Sequence, residues 1–94
     1  MPVISLFHLE IKPEEEKNFL ADFVVTLSIA QKQKGFINAQ AYVPVGQQHK
    51  YLLITEWESE ADIENWLDNA DHQRVIAKAP QYVANHSIKR YTPK

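Results

Sequence analysis

The sequence contains no cysteine, and this absence excludes disulfides, thiolate metal sites and cysteine nucleophiles together. A chain of 94 residues without crosslinks is typical of one small domain, here residues 1–94, in a reducing cytoplasm. Its only glycines are Gly35 and Gly46, so it cannot form the glycine-rich loop that holds nucleotide, flavin or nicotinamide phosphates. The glycine-flanked turn that exposes a catalytic serine is absent too.

Positive charge is scarce, and long apolar runs are missing. The net charge is −2 and the basic residues are scattered, which argues against binding to nucleic acid or anionic membranes. No apolar run approaches the roughly 20 residues that span a bilayer, and the N-terminus does not resemble a signal peptide. The apolar fraction of 45% is ordinary for a globular protein.

The hydrophobic pattern predicts four strands and two main helices. Alternating or β-branched segments indicate strands, whereas apolar residues spaced by three and four indicate helices. The predicted order is strand 1 over residues 3–11, helix 1 over 13–34, strand 2 over 36–43, strand 3 over 50–57, helix 2 from 59, a short helix over 72–79 and strand 4 over 82–91. This order indicates an α+β, ferredoxin-like split β-α-β fold, with a four-stranded antiparallel sheet and helices on one face.

Local signals mark the helix ends. Pro13 and the glutamates after it suit a helix start, and Gly35 suits a left-handed helix end. Ser59 and Asp62 resemble a capping box, with aspartate in place of the usual glutamate. In helix 1 the predicted apolar stripe comprises Phe19, Leu20, Phe23, Val24, Leu27 and Ala30.

Strands 1 and 3 are apolar on both faces. In strand 3, Leu52 and Ile54 oppose Tyr51, Leu53 and Trp57. Helices cover only one face of such a sheet, so the other face would expose an apolar patch near the upper limit for monomers. The pattern therefore predicts a homodimer whose sheets pack face to face.

The chain resembles the antibiotic biosynthesis monooxygenase superfamily. The resemblance is carried by the order of elements, by Gly35-Phe36 after helix 1, and by Glu56-Trp57-Glu58-Ser59 leading to Trp66. It covers essentially the whole chain and implies a dimeric α+β barrel. Some members oxidise aromatic polyketides or quinols with O₂ and no bound cofactor, others degrade haem, and many have no known activity.

The haem-degrading branch of that superfamily uses an asparagine on strand 1, a tryptophan on helix 2 and a histidine on the following helix. Trp66 matches the tryptophan, but the asparagine position falls on Phe7 and the histidine position falls near Ile76. His72 lies one helical turn too early to replace that histidine. The resemblance therefore favours cofactor-free oxygenation over haem cleavage, with Phe7 as a substrate-contacting position.

Trp66 and His72 are the candidate catalytic residues. An indole can stack on a flat aromatic substrate, and a histidine at a helix break can accept a phenolic proton. The alternative interpretations are a core tryptophan and a solvated helix-terminal histidine. The candidate substrate-binding residues, expected between the sheet and the helices, are Asn65, Phe19, Phe23, Tyr82 and Phe7.

Three other histidines carry weaker predictions. His8 and His86 lie on strands that the topology makes neighbours, but two histidines are a poor metal site, so no metal or other cofactor is expected. His49 falls in a turn and is expected to be solvated. The predicted function is cofactor-independent monooxygenation of a small aromatic or quinol-like substrate. A non-catalytic small-molecule-binding or regulatory module of the same fold, or an isomerase or lyase, stays open as an alternative.

Overall fold

A computed structural model describes residues 2–94 as one antiparallel sheet with a layer of helices. The helices and strands are β1 (Val3–Ile11), a 3₁₀ turn (Pro13–Glu15), α1 (Glu16–Ala30), β2 (Phe36–Tyr42), β3 (Lys50–Trp57), α2 (Glu60–Leu67), α3 (Ala70–Ile76), α4 (Ala79–Tyr82) and β4 (Val83–Tyr91). None of the helices in this described part of the chain has the length and apolar character needed to cross a membrane.

The strands lie in the order β2-β3-β1-β4, and every neighbouring pair is antiparallel. This is the ferredoxin-like α+β arrangement, so the predicted fold class is confirmed. The central pair sets the register, because Val3 lies opposite Trp57 and Leu9 lies opposite Tyr51. Residues that face each other across an antiparallel pair project from the same face of the sheet.

One face of the sheet packs against the helices in two separate apolar clusters. We call the first the tryptophan cluster, formed by Val3, Ala30, Trp57, Ile63 and Trp66. We call the second the tyrosine cluster, formed by Leu9, Ile11, Phe19 and Tyr82, with Phe7, Phe23, Tyr51 and Leu53 half-buried against it. We call this side of the sheet the helix-covered face, and the two clusters hold the helices to both ends of it.

The opposite face of the sheet, which we call the open face, has an apolar centre without helices over it. Ile4 and Leu6 of β1 lie beside Ile54 and Leu52 of β3, and all four are half-buried. Polar side chains, including Gln40 on β2, lie on the same face nearer the edges.

The helices differ from the predicted ones at their ends. Helix α1 ends at Ala30, not Lys34, because Lys32 and Gln33 donate to carbonyls three residues back and tighten the chain into turns. Helix α3 spans Ala70–Ile76 where residues 72–79 were predicted, because the Asn69 side chain caps the amides of Asp71 and His72.

The remaining corrections concern strand ends and the helix stripe. Strand β2 ends at Tyr42, and β4 begins at Val83 because Tyr82 closes the short helix α4. The apolar stripe predicted for α1 is too wide, since Leu20 is 42% exposed and Val24 is 66% exposed. The stripe faces the core only through Phe19, Phe23, Leu27 and Ala30.

Gly35 allows the α1–β2 turn to close against α2. Its φ is +83°, and a Cβ built there would lie 2.1 Å from Oδ2 of the buried Asp62. We expect Gly35→Ala to destabilise the fold by about 2–4 kcal/mol, because backbone strain adds to the displacement of a capping side chain. Urea denaturation followed by tryptophan fluorescence measures the loss.

Gly46 is the matched control for this variant. Its φ is +78°, but nothing lies within 4 Å of a built Cβ, so Gly46→Ala carries the backbone strain alone, about 1–2 kcal/mol. Equal losses in the two variants would contradict a steric role for the contact between Gly35 and Asp62.

Candidate functional site

The candidate site is built around a stacked pair, Trp66 of α2 and His72 of α3. Their ring centroids lie 3.8 Å apart and the two planes differ by 9°. The imidazole Nδ1 also lies 3.0 Å from the main-chain carbonyl oxygen of Trp66. One residue therefore contacts His72 through both its side chain and its backbone. The structure brings the two predicted catalytic residues together.

Two helix caps place these rings. The hydroxyl of Ser59 accepts a hydrogen bond from the Asp62 amide and donates one to the Asp62 carboxylate, so α2 begins with the predicted cap. Asn69 accepts hydrogen bonds from the amides of Asp71 and His72, at 2.9 and 3.0 Å. Because α3 begins immediately after α2 ends, His72 folds back onto Trp66.

Burial lowers the pKa of His72 below its ordinary value of 6.5, and the hydrogen bond to the Trp66 carbonyl only partly opposes this effect. Burial penalises the charged imidazolium, so the neutral ring is favoured in the folded protein. A neutral imidazole can accept a proton.

Trp66 is also a core residue. Its side chain is 8% exposed, and its indole lies 6.0 Å from that of Trp57, which is 1% exposed. Trp66 is therefore both a core residue and the residue that contacts His72. The indole face that contacts His72 connects the site to the tryptophan cluster.

The predicted substrate-binding residues lie in three places. Phe19 and Tyr82 are buried in the tyrosine cluster, with ring centroids 5.6 Å apart. Phe23 and Phe7 are half-buried at the margin of that cluster. Asn65 is exposed on α2. The site residues thus divide between the Trp66–His72 pair and the tyrosine cluster.

His8 and His86 lie on neighbouring strands but on opposite faces of the sheet. His8 faces Leu52 and Ser87 across the open face, whereas His86 lies opposite Leu9 and contacts the ring of Phe7. Residues 2–94 contain no group of three or more histidine, cysteine, aspartate or glutamate side chains placed to hold a metal ion.

The open face has a hollow of about 490 Å³ at one end. It is lined by side chains that include His8, Glu10, Lys50, Leu52 and Ser87. Trp66 and His72 do not line it. This hollow therefore lies apart from the candidate catalytic pair.

A polar cluster that the sequence pattern did not reveal joins α1 to the β2–β3 turn. Tyr51 donates a hydrogen bond to Oε2 of Glu16 at 2.7 Å, and Nδ1 of His49 lies 3.2 Å from the same oxygen. The prediction that His49 is solvated is wrong, because its side chain is half-buried against Glu16. Burial and the Glu16 hydrogen bond raise the pKa of Tyr51 to about 12, so its phenol stays protonated.

Asn69 is the residue of the site that sequence reasoning used only as a helix breaker. Its side chain caps α3, and its Nδ2 also donates to Gln33 Oε1 at 3.3 Å. The sequence signal was the Asn69-Ala70-Asp71 segment, which is typical of a new helix start. Its link to Gln33 joins residues far apart in the chain and has no local signature.

Tryptophan fluorescence should report the protonation of His72. Because the ring contacts Trp66, a charged imidazolium should quench the indole, with a midpoint below the ordinary value of 6.5. The stability that neutral His72 contributes is present above that ordinary value and is lost as the pH falls through its lowered pKa. A pH titration of fluorescence measures the midpoint.

His72→Gln should remove that transition, whereas His8→Gln should keep it, because His8 is exposed on the other face of the sheet. A midpoint above 6.5 that depends on His72 would contradict the burial of the imidazole.

Comparison with known proteins identifies relatives over nearly the whole chain. The family described as "Antibiotic biosynthesis monooxygenase" matches residues 2–78. A protein of Bacillus subtilis (strain 168) named "Putative monooxygenase YcnE" is 20% identical over 82 residues, which are 87% of this chain and 86% of that protein.

Solved structures share the fold. A conserved protein from Methanosarcina mazei Go1 superposes with a TM-score of 0.94 at 15% identity, covering 100% of this chain and 94% of that one. SnoaB, a cofactor-independent oxygenase from Streptomyces nogalater, superposes with a TM-score of 0.86 at 15% identity, covering 99% of this chain and 93% of that one. At these identities the likeness establishes the fold alone.

Proposed function

The chain belongs to the antibiotic biosynthesis monooxygenase family, as its motifs predicted, and we propose that it is a cofactor-independent monooxygenase of a small aromatic or quinol-like substrate. The observation that carries the proposal is the contact between Trp66 and His72. It combines a flat π surface with an imidazole whose burial favours the neutral form. SnoaB, which has the same fold, is named a cofactor-independent oxygenase, and this supports the reaction class.

The proposed reaction needs a base but no bound redox group. His72 takes the hydroxyl proton of a phenol or hydroquinone, and the resulting anion is electron-rich enough to give one electron to O₂. The substrate radical and superoxide then combine into a peroxide anion on a ring carbon that carries a hydrogen, and this anion takes the proton back from His72. Loss of water from that peroxide leaves a carbonyl, so one oxygen atom enters the substrate and the other leaves as water with two substrate hydrogens.

We propose that the substrate lies between the sheet and the helices, against Trp66 and His72 on one side and toward Phe7 and Phe23 on the other. Both rings are half-buried, unlike the buried rings of the tyrosine cluster behind them. Ile88 of β4 lies opposite Phe7 on the helix-covered face and is still 47% exposed. The helix layer therefore leaves this part of β4 open, and an apolar ring could enter there. Direct substrate contact by Phe19, Tyr82 and Asn65 stays a prediction.

Oxygen uptake with a panel of naphthols and hydroquinones tests the proposal. We expect His72→Gln to lower kcat by about 10²–10⁴-fold, the usual contribution of a positioned general base. His8→Gln is the matched control and should keep the wild-type rate, because His8 lies on the open face.

Absence of O₂ uptake with every substrate would overturn the oxygenase proposal. If a substrate quenches tryptophan emission under anaerobic conditions but consumes no O₂ in air, the chain is a binding module of the same fold. These two measurements together distinguish the two functions.

We also propose that the protein is a homodimer through its open face. Ile4, Leu6, Leu52 and Ile54 form a continuous apolar centre there, and the helices of the same chain lie on the other side. A second sheet packed on this centre would remove these side chains from water, which is the main source of association energy. The hollow beside His8 would then lie at the seam between the two copies.

Leu52→Arg should weaken dimerisation by at least tenfold in Kd, about 1.4 kcal/mol, because it places an unpaired charge in that centre. Val24→Arg is the control, since Val24 is exposed on α1 and lies outside the proposed interface. Sedimentation at micromolar concentration measures both. A wild-type monomer, or equal dissociation of the two variants, would contradict the interface.

A further inference from the structure

The surroundings of His72 identify which of its two ring nitrogens carries the proton. Nδ1 lies 3.0 Å from the carbonyl oxygen of Trp66, and a carbonyl only accepts hydrogen bonds. Nδ1 must therefore donate, in the neutral ring as well as in the charged one. The hydrogen bond made by one nitrogen of an imidazole fixes the state of the other. Neutral His72 thus carries its lone pair on Nε2.

Nε2 is free to meet another molecule. It has no hydrogen-bond partner within residues 2–94. In the same region, every buried side-chain nitrogen or oxygen has a partner. Both statements hold only if Nε2 reaches the surface. The ring is therefore closed on one face by Trp66 and open at the nitrogen that binds and releases protons.

Asn69 controls the position of this ring through the backbone. Its Oδ1 accepts the amide of His72 at 3.0 Å, and its Nδ2 donates to Gln33 in the turn after α1. Asn69 does not contact the imidazole in any hydrogen bond of the structure. It fixes the first turn of α3, and thereby the direction from which His72 reaches the carbonyl of Trp66.

We infer that Asn69 and the main-chain carbonyl of Trp66 hold His72 as the Nδ1–H tautomer, which makes Nε2 the atom that accepts the substrate proton. The role of Nε2 as proton acceptor rests on the proposed function, whereas the tautomer does not. Asn69 is in these terms a positioning residue. A solvated histidine prefers the opposite tautomer, with its proton on Nε2, so the two states are distinguishable.

Nitrogen-15 NMR of the imidazole rings tests the tautomer directly. At a pH well above the ordinary histidine pKa, His72 should show a protonated Nδ1 and an unprotonated Nε2. The signal is assigned by its loss in His72→Gln. N-acetylhistidine amide in the same buffer is the reference and should show the solvated pattern. A proton on Nε2 of His72 would overturn the inference.

Two variants test the positioning role of Asn69. Asn69→Asp keeps an oxygen that can cap α3 and should keep the Nδ1–H pattern. Asn69→Ala removes the cap and should move His72 toward the solvated pattern while the rest of the fold remains, as checked by the amide spectrum. An unchanged His72 pattern in folded Asn69→Ala would overturn the role of Asn69.

The NMR pattern of His72 tests this inference, and O₂ uptake tests the oxygenase proposal, so the two can fail separately. An Nδ1–H tautomer without O₂ uptake would support the inference and count against the reaction. Conversely, O₂ uptake that depends on a His72 with its proton on Nε2 would support the reaction and overturn the inference.

Discussion

The packing of Trp57 against Trp66 holds the sheet and the helices together. Trp57 ends β3, Trp66 lies in the last turn of α2, and the short capped connection between them brings the two indoles to 6.0 Å. Replacing a buried tryptophan with alanine typically costs about 3–5 kcal/mol, a large part of the stability of a small domain. The position of His72 depends on where this packing holds Trp66, because the imidazole stacks on the Trp66 indole.

Strand positions could be predicted from the sequence because the apolar runs and the residues that end them are local features. The bounds of β1 and β3 agree with their apolar runs. Gly35 has the predicted left-handed φ, but it lies in the α1–β2 turn and does not cap α1, which ends at Ala30. Helix ends were predicted less well. Hydrogen bonds three residues back shorten α1. The start of α3 depends on whether Asn69 caps it, and only the folded chain decides that.

The side-chain contacts of the site could be predicted only in part. Trp66 and His72 are six residues apart, so a helix break between them suffices to bring them together, and both were identified from the sequence. Glu16 and His49 are 33 residues apart, and their contact depends on how the β2–β3 turn folds over α1. The exposure of Val24 likewise depends on the angle of α1 on the sheet, which a helical stripe does not define.

A base that works without a cofactor must be neutral at the pH of the cell and must expose one nitrogen. Burial supplies the first property for His72, because removal of the ring from water lowers its pKa and disfavours the imidazolium. Burial of the whole ring would, however, close off both nitrogens. The carbonyl of Trp66 resolves this conflict, since it satisfies Nδ1 inside the protein and leaves Nε2 as the outward nitrogen. In the reaction that we propose, the tryptophan that completes the core would therefore also prepare the histidine for proton transfer.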